Sequence, residues 1–380
     1  MSSIFFKCLN LRFESFVRQL SYFFFRLLFA NKSAKVPLNI YKLKKVLILR
    51  YDRIGDMVAT LPSIDYIKRL NPDIQIDVMC SKKNFDVIKF DSRINNVYIS
   101  DLKPIKLLRD ALKIRKNNYD LIISFVFFKT TLAGLISNLA GRSKAYKATI
   151  LHKEREKIYS AFFNIQVPLE SFIQSRNMLE ILFKMVCYIF GKEYDKNNIR
   201  LKLCLDEKSI QMSNRFVSSL PKGKYIIINL SAGHKLRTWD PENYKKLLSL
   251  LVAEYKDLVF ILISSPEDYP ISLSVSSNFT DRVFSYNSSS ILDVAGLISH
   301  CKLVITPDTS IVHIASVYSV PVVGLYSKRY SNVNHWGPFG VPNKIILTRQ
   351  EESINEIFPE EVLYAFKSLY SEIEPEIQSQ

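Results

Sequence analysis

KVLILRYDRIGDMVATLP, residues 45–62, decides how the rest of the chain is read. Lys45 to Arg50 reads as a strand, Gly55 as a tight turn, and Asp56 to Leu70 as a helix that stops before Asn71-Pro72, with Asp56 as its N-cap. Near-continuous apolar strands alternating with amphipathic helices build parallel sheets covered on both faces. Working outward, IQIDVM (74–79), NVYIS (96–100) and DLIISFV (120–126) repeat the strand pattern at intervals that leave room for helices. Arg142 to Glu170 interrupts it, is assigned to neither strand nor helix by its pattern, and is a candidate to contain a binding loop.

The pattern restarts at KYIIINLS (224–231), after the turn Leu220-Pro221-Lys222-Gly223. A helix from Pro241 to about Tyr255 follows, then the strands DLVFILIS (257–264) and RVFSY (282–286) and a helix in SSILDVAGLISH (289–300). The strand KLVITP (302–307), a helix from Thr309 and the strand PVVGLY (321–326) complete the series, and an apolar helical stripe recurs at Ile354, Ile357, Val362, Ala365, Phe366 and Leu369. A length of 380 residues exceeds what one core usually organises. The expected architecture is therefore α/β, with two Rossmann-like doubly wound domains facing across a cleft: a basic segment over 1–40, a first domain over 41–210, a second over 211–350, and a helix and tail over 351–380.

The formal charge of +16 favours an anionic partner, such as a phosphorylated substrate or an acidic lipid surface. Nucleic acid is disfavoured, because no zinc-finger spacing, RNP-type strand or concentrated Lys/Arg block is present. Five scattered cysteines, Cys8, Cys80, Cys187, Cys204 and Cys301, indicate neither a disulfide framework nor a metal cluster and suit reduced thiols in the cytoplasm. The first thirty residues are rich in Phe and Leu but interrupted by Lys7, Arg12, Arg18 and Arg26, so no uncharged run approaches the roughly 20 residues of a membrane span. They read either as a basic amphipathic segment in a lipid interface or as an extra helix packed on the first domain.

Ligands of open α/β sheets bind beyond the carboxyl ends of the strands, which singles out three loops. After the first strand, Arg53, Gly55 and Asp56 could present a carboxylate to the cleft as a proton acceptor. After the first strand of the second domain, Gly233 permits close backbone approach while Lys235 and Arg237 offer charge to a phosphate. The third loop puts Asp308, Thr309 and Ser310 at a helix start that suits a diphosphate, with His313 one turn further in. No G-x-G-x-x-G follows either leading strand, which argues against a dinucleotide oxidoreductase. No Asp-x-Asp pair or His/Cys ligand spacing marks a metal site in these loops.

Taken together, these segments resemble glycosyltransferase family 9, the ADP-heptose:lipopolysaccharide heptosyltransferases, over roughly residues 45 to 345. Arg53-Ile54-Gly55-Asp56 continuing to Thr60-Leu61-Pro62 matches that family's S/R-x-G-D-x-x-x-T-x-P. Gly233 with Arg237-Thr238-Trp239-Asp240 is similar to its G-x(n)-K-R-W-P, with Arg237, Thr238 and Asp240 in place of Lys, Arg and Pro. The segment from Thr306 to Ala315 matches T-x-D-T-G-x-x-H-x-A with Ser310 for Gly, and Pro321 to Ser327 matches P-x-x-x-L-F-G with Tyr326-Ser327 for Phe-Gly.

The resemblance implies a GT-B fold and an inverting transfer of a heptose or related sugar from an ADP-linked donor to a lipid-linked glycan. Asp56 would be the general base, Lys235, Arg237, Thr309 and Ser310 the diphosphate site, and Gly233, Glu267, Asp308 and His313 the nucleotide or sugar side. Arg53 and Gly55 would belong to the acceptor loop, and part of 142–170 would contact the acceptor. The implied setting is the cytoplasmic face of the inner membrane, in contact with anionic lipid, with neither cofactor nor metal. The terminal helix would cross back to the first domain. The rival reading is a catalytically silent GT-B protein that binds a nucleotide or glycan.

Overall fold

The computed structural model describes the chain apart from residues 1–19, 22, 30, 101–102, 127–129, 152–155, 169–175, 280, 330, 351–352 and 375–380. The N-terminal helix, α1, is described at residues 20–21 and 23–29, so the expectations attached to Lys7, Cys8, Arg12 and Arg18 lie outside the described residues.

Two six-stranded parallel sheets form the frame. The first joins β1 (Lys45–Leu49), β2 (Gln75–Ser81), β3 (Asn96–Ser100), β4 (Leu121–Ser124), β5 (Tyr146–Leu151) and β6 (Ile165–Pro168) in the order β3-β2-β1-β4-β5-β6. The second joins β7 (Lys224–Asn229), β8 (Leu258–Ile263), β9 (Val283–Ser285), β10 (Leu303–Pro307), β11 (Val322–Tyr326) and β12 (Asn343–Leu347) as β12-β11-β10-β7-β8-β9. Numbered from its own first strand, each sheet runs 3-2-1-4-5-6, so the chain reverses direction across each sheet beside β1 and beside β7. That switch point is where an open α/β sheet leaves a crevice at its strand ends. The central strands are apolar on both faces because both faces are covered: Val46 to Leu49, Ile226 to Ile228 and Leu258 to Leu262 are all buried.

Three expectations are corrected. The single helix over 56–70 is two, α2 (Ile54–Val58) and α3 (Leu61–Leu70). Pro62 lies in the first turn of α3, where its missing N–H costs nothing, and Thr60 closes the break by donating its hydroxyl to the Asp56 carbonyl at 2.9 Å. Asp56 is not the N-cap; that position is Arg53, and Asp56 sits three residues into the turn, where its Oδ2 accepts the Arg53 N–H at 3.2 Å. Residues 142–170, left unassigned by the sequence pattern, hold β5, α6 (Glu156–Phe162) and β6, which carry the sheet to its edge, residues 152–155 and 169–170 lying outside the described residues. Lys147 and Gln166 hide this pattern in the sequence, and Lys147 is nonetheless buried, its ammonium donating to the Arg142 and Ala145 carbonyls.

The terminal helix α14 (Pro359–Ile373) also departs from expectation. It stays on the second sheet, against α9 (Pro241–Glu254), β11 and β12. Ile354, Ile357, Val362, Ala365, Phe366 and Leu369 all join the core of that half, so burial of the stripe is satisfied locally. The chain changes halves between α7 (Met178–Phe190), which packs on α3 and β6, and α8 (Glu207–Ser218), which packs on α11 (Ile291–Ile298).

Candidate active site

The loop after β1 is organised by a buried cation. Arg50 is fully buried at the end of β1. Its Nε donates to the Asp56 carbonyl at 2.9 Å, its Nη2 lies 3.3 Å from Asp56 Oδ1, its Nη1 lies 3.2 Å from Asp52 Oδ2, and the Phe125 carbonyl accepts a further bond. Arg50 therefore ties α2 to the ends of both β1 and β4. Asn84 holds the loop from the other side, donating to the Arg50 carbonyl at 3.0 Å.

Asp52 shares that cation but lacks the rest of its solvation. Its side chain is 20% exposed and its Oδ1 is buried without a hydrogen bond. Burial and the neighbouring Asp56 charge raise its pKa to about 6, against the opposing pull of Arg50. A carboxyl raised in the folded state binds its proton more tightly there than in the unfolded chain, so it lowers stability as pH rises from about 4 to about 6 and keeps that cost above. Asp52→Asn is therefore expected to raise the melting temperature at pH 7.5 and to lose that advantage below about pH 4. Melting curves of the two proteins across pH 4–8 check this; a pH-independent difference would refute it.

From the second half, α12 (Ser310–Val317) brings His313 against α2. Gly55 makes this possible in a way the sequence did not suggest. Its φ is not positive, so the turn does not demand glycine. A Cβ at Gly55 would instead lie 2.7 Å from His313 Cδ2, and the missing side chain is what admits the ring. His313 is 7% exposed and edge-on to Trp336, with ring centroids 6.0 Å apart. Burial lowers its pKa and Arg50 adds to this, although Asp56 and Asp308 pull the other way, so the imidazole is neutral at pH 7.

The second half contributes the ends of β7 and β10, adjacent strands at its own switch point. Thr309 caps α12, accepting the Ile311 N–H at 3.3 Å, and Ser310 opens the helix. Asn229, at the end of β7, donates to Thr306 Oγ1 at 2.9 Å and to Thr309 Oγ1 at 3.2 Å, which locks the two strand ends together. Arg237 reaches across to Asp308, with Nη1 3.1 Å from Oδ2 and 3.4 Å from the backbone carbonyl. Lys235 stays exposed, and open space surrounds Gly233. Trp239 is structural: its Nε1 donates to the Ile357 carbonyl at 3.0 Å beneath the loop.

With this geometry in place, residues 110–357 match glycosyltransferase family 9 (heptosyltransferase). The chain belongs to glycosyltransferase family 9. This family 9 enzyme is 23% identical over 321 residues to a putative glycosyltransferase of Haemophilus influenzae, covering 80% of this chain and 88% of that one. It is 19% identical to lipopolysaccharide heptosyltransferase 1 of Campylobacter coli, covering 86% and 99%. Among solved structures it resembles a family 9 glycosyltransferase of Veillonella parvula, with TM-score 0.71, 16% identity and coverage of 90% and 100%. It also resembles the E. coli heptosyltransferase WaaC with ADP, with TM-score 0.68, 16% identity and coverage of 87% and 98%. At such identities these likenesses show the shared two-sheet GT-B fold.

Of the predicted site residues in this glycosyltransferase, Asp56 and Gly55 on α2 are brought to His313 on α12, with Asp308 and Thr309 just before that helix and Arg237 paired to Asp308 from the turn after β7. Arg53 is the exposed N-cap of α2. Glu267 is exposed on the short turn Pro266–Asp268 after β8. Its neighbour Asp268 is the carboxylate drawn into the network: Ser231 and Ser265 donate to Asp268 Oδ2 at 2.6 and 3.0 Å. Sequence reasoning missed Asp268, Arg50, Asp52 and Asn229. A fully charged residue closing an apolar strand was the available signal for Arg50, and a polar residue closing β7 was the signal for Asn229. Among the described residues, no group of three or more His, Cys, Asp or Glu is placed to hold a metal ion.

Proposed function

We propose that this glycosyltransferase moves a heptose or related sugar from an ADP-linked donor to a hydroxyl of a lipid-linked glycan, in lipopolysaccharide or another surface polysaccharide, with inversion at the anomeric carbon. The observation that carries this reading is the apposition of Asp56, oriented by Arg50, to His313 and the start of α12 in the opposite half. The names of relatives that are lipopolysaccharide heptosyltransferases support the substrate class, and the ADP in a structural relative supports the nucleotide.

In this reading the acceptor hydroxyl gives its proton to Asp56 while its oxygen attacks the anomeric carbon from the face opposite the diphosphate. The bond to the diphosphate breaks with its electron pair on the departing oxygen. Lys235, Arg237 and the backbone N–H groups and hydroxyls at Thr309 and Ser310 meet that growing charge. Asp308 holds Arg237 ready through their ion pair. Neutral His313 serves as a hydrogen-bond donor rather than a cation, while Gly233 and Glu267 border the nucleotide or sugar. Charge on the protein does the work asked of a metal elsewhere. Arg53 and Gly55 form the acceptor-side wall. Donor and acceptor would meet at the cytoplasmic face of the inner membrane; no helix among the described residues is long and apolar enough to cross one.

Thermal stabilisation by ADP, GDP, UDP and CMP tests the donor side. At a hundred times its dissociation constant the correct nucleotide adds about 2.7 kcal/mol. ADP is expected to stabilise most. Selective stabilisation by GDP or UDP would move the donor and keep the reaction class, and no response to any of the four would sink the nucleotide-sugar reading.

A further inference from the structure

The N-terminal helix turns the wrong face outward. Along α1, Leu20, Phe23, Phe24, Leu27 and Leu28 recur at the i, i+3, i+4, i+7, i+8 spacing that normally marks the face packed on a core. Here those five side chains are 55–69% exposed. The helix is attached by its opposite side instead. Phe25 and Phe29 lie against Phe162 with ring centroids 5.2 and 5.8 Å away, and Phe162 is wholly buried at the end of α6.

The attachment is specific, so the outward face is presented rather than left over. Just after α1, Asn31 Nδ2 donates to Asn138 Oδ1 at 2.7 Å and to the Ala161 and Phe162 carbonyls at 3.2 Å. The buried Lys147 donates back to Asn31 Oδ1 at 3.0 Å. Ala34 N–H then bonds the Asn164 carbonyl at 2.8 Å, and Leu38 N–H bonds the Ile189 carbonyl at 2.8 Å. A side-chain amide bonded to four groups on three other elements of the first half fixes where α1 leaves the body and which way it faces.

We propose that α1 is a docked paddle that inserts its Leu20, Phe23, Phe24, Leu27 and Leu28 face into an anionic lipid surface and so sets how the first sheet meets the membrane. Charge selects this occupant. Arg26, Lys32 and Lys35 are exposed on and just after the helix, and residues 1–40 hold six Lys and Arg against one acid. Aromatic and leucine side chains below, with cations among the headgroups, is the arrangement of an interfacial helix. A second copy on this face would bring the same cations together and pay for it in repulsion. The lipid-linked acceptor rests on the proposed function; the apolar face, its cations and its anchoring do not.

The test uses the full chain and vesicles of phosphatidylcholine with and without phosphatidylglycerol, separated by flotation. Truncation is a poor probe, since removing α1 would uncover Phe162 and Lys147. The triple change Phe23→Ser, Phe24→Ser, Leu27→Ser alters only exposed side chains. Wild type is expected to float with the anionic vesicles at least tenfold more than with neutral ones, and the triple variant to lose at least tenfold of that binding. Arg26→Glu is expected to lose severalfold. Both variants keep the wild-type ADP thermal shift, which separates this proposal from the donor reading. Failure of wild type to float, or flotation unchanged in the triple variant, overturns the paddle. So does sedimentation showing a wild-type dimer that the triple variant dissociates, because a second copy would then be the occupant.

Discussion

Asp56→Asn is expected to lower sugar transfer by about 10²–10⁴-fold while leaving the ADP-dependent thermal shift in place. The amide keeps the shape of the side chain and can still accept the Arg53 N–H that Asp56 Oδ2 accepts at 3.2 Å. It cannot take a proton from the acceptor hydroxyl. The diphosphate site proposed above is on the other half of the molecule, at Lys235, Arg237, Thr309 and Ser310, so nucleotide binding has no reason to fall. Turnover and nucleotide stabilisation measured on the same preparation give the contrast. Transfer within a few-fold of wild type would remove Asp56 from the role of base, and loss of both signals would mean that the substitution damaged the fold.

Arg50→Met is expected to cost about 3–5 kcal/mol of stability, the range for breaking a buried ion pair by removing one partner. Arg50 is fully buried, whereas the Asp52 and Asp56 side chains are 20% and 13% exposed. Without the guanidinium, two carboxylates face each other with little water, and the Phe125 and Asp56 carbonyls lose their donor. Activity is expected to fall too, because Asp56 then keeps only the Arg53 N–H to orient it. Arg50→Lys recovers only part of either quantity: one ammonium cannot bridge two carboxylates and two carbonyls as a planar fork does. Denaturant unfolding of the three proteins decides. A loss under about 1 kcal/mol in Arg50→Met would show that the cation does not hold this loop together.

Much of the candidate site was legible because its residues fall where strands end. Asp56, Arg237, Thr309 and His313 could be found by locating apolar runs and reading the polar residues that follow them. Glu267 was singled out by resemblance alone, and that Asp268 beside it is the carboxylate bonded to Ser231 and Ser265 depends on one residue of phase on a short turn, which sequence does not carry. The helix boundary at Thr60, the strands β5 and β6 and the docking of α14 escaped for related reasons. A Pro in a first turn is silent in a periodicity count, a buried Lys147 breaks the apolar run of its strand, and a terminal stripe does not state which half it will cover.

What the sequence determined by itself was the repeated strand-and-helix grammar, and with it two parallel sheets and the loops at their carboxyl ends, since local apolar periodicity and chain direction suffice for that. Only the tertiary structure decided that Gly55 is a space for His313 rather than a hinge, that Arg50 binds Asp52 and Asp56 at once, and that α1 is held by Phe25 and Phe29 with its larger apolar face outward. Each of these depends on side chains meeting across elements distant in the chain or on opposite sides of one helix. Periodicity records that a face is apolar, and only packing determines what that face meets.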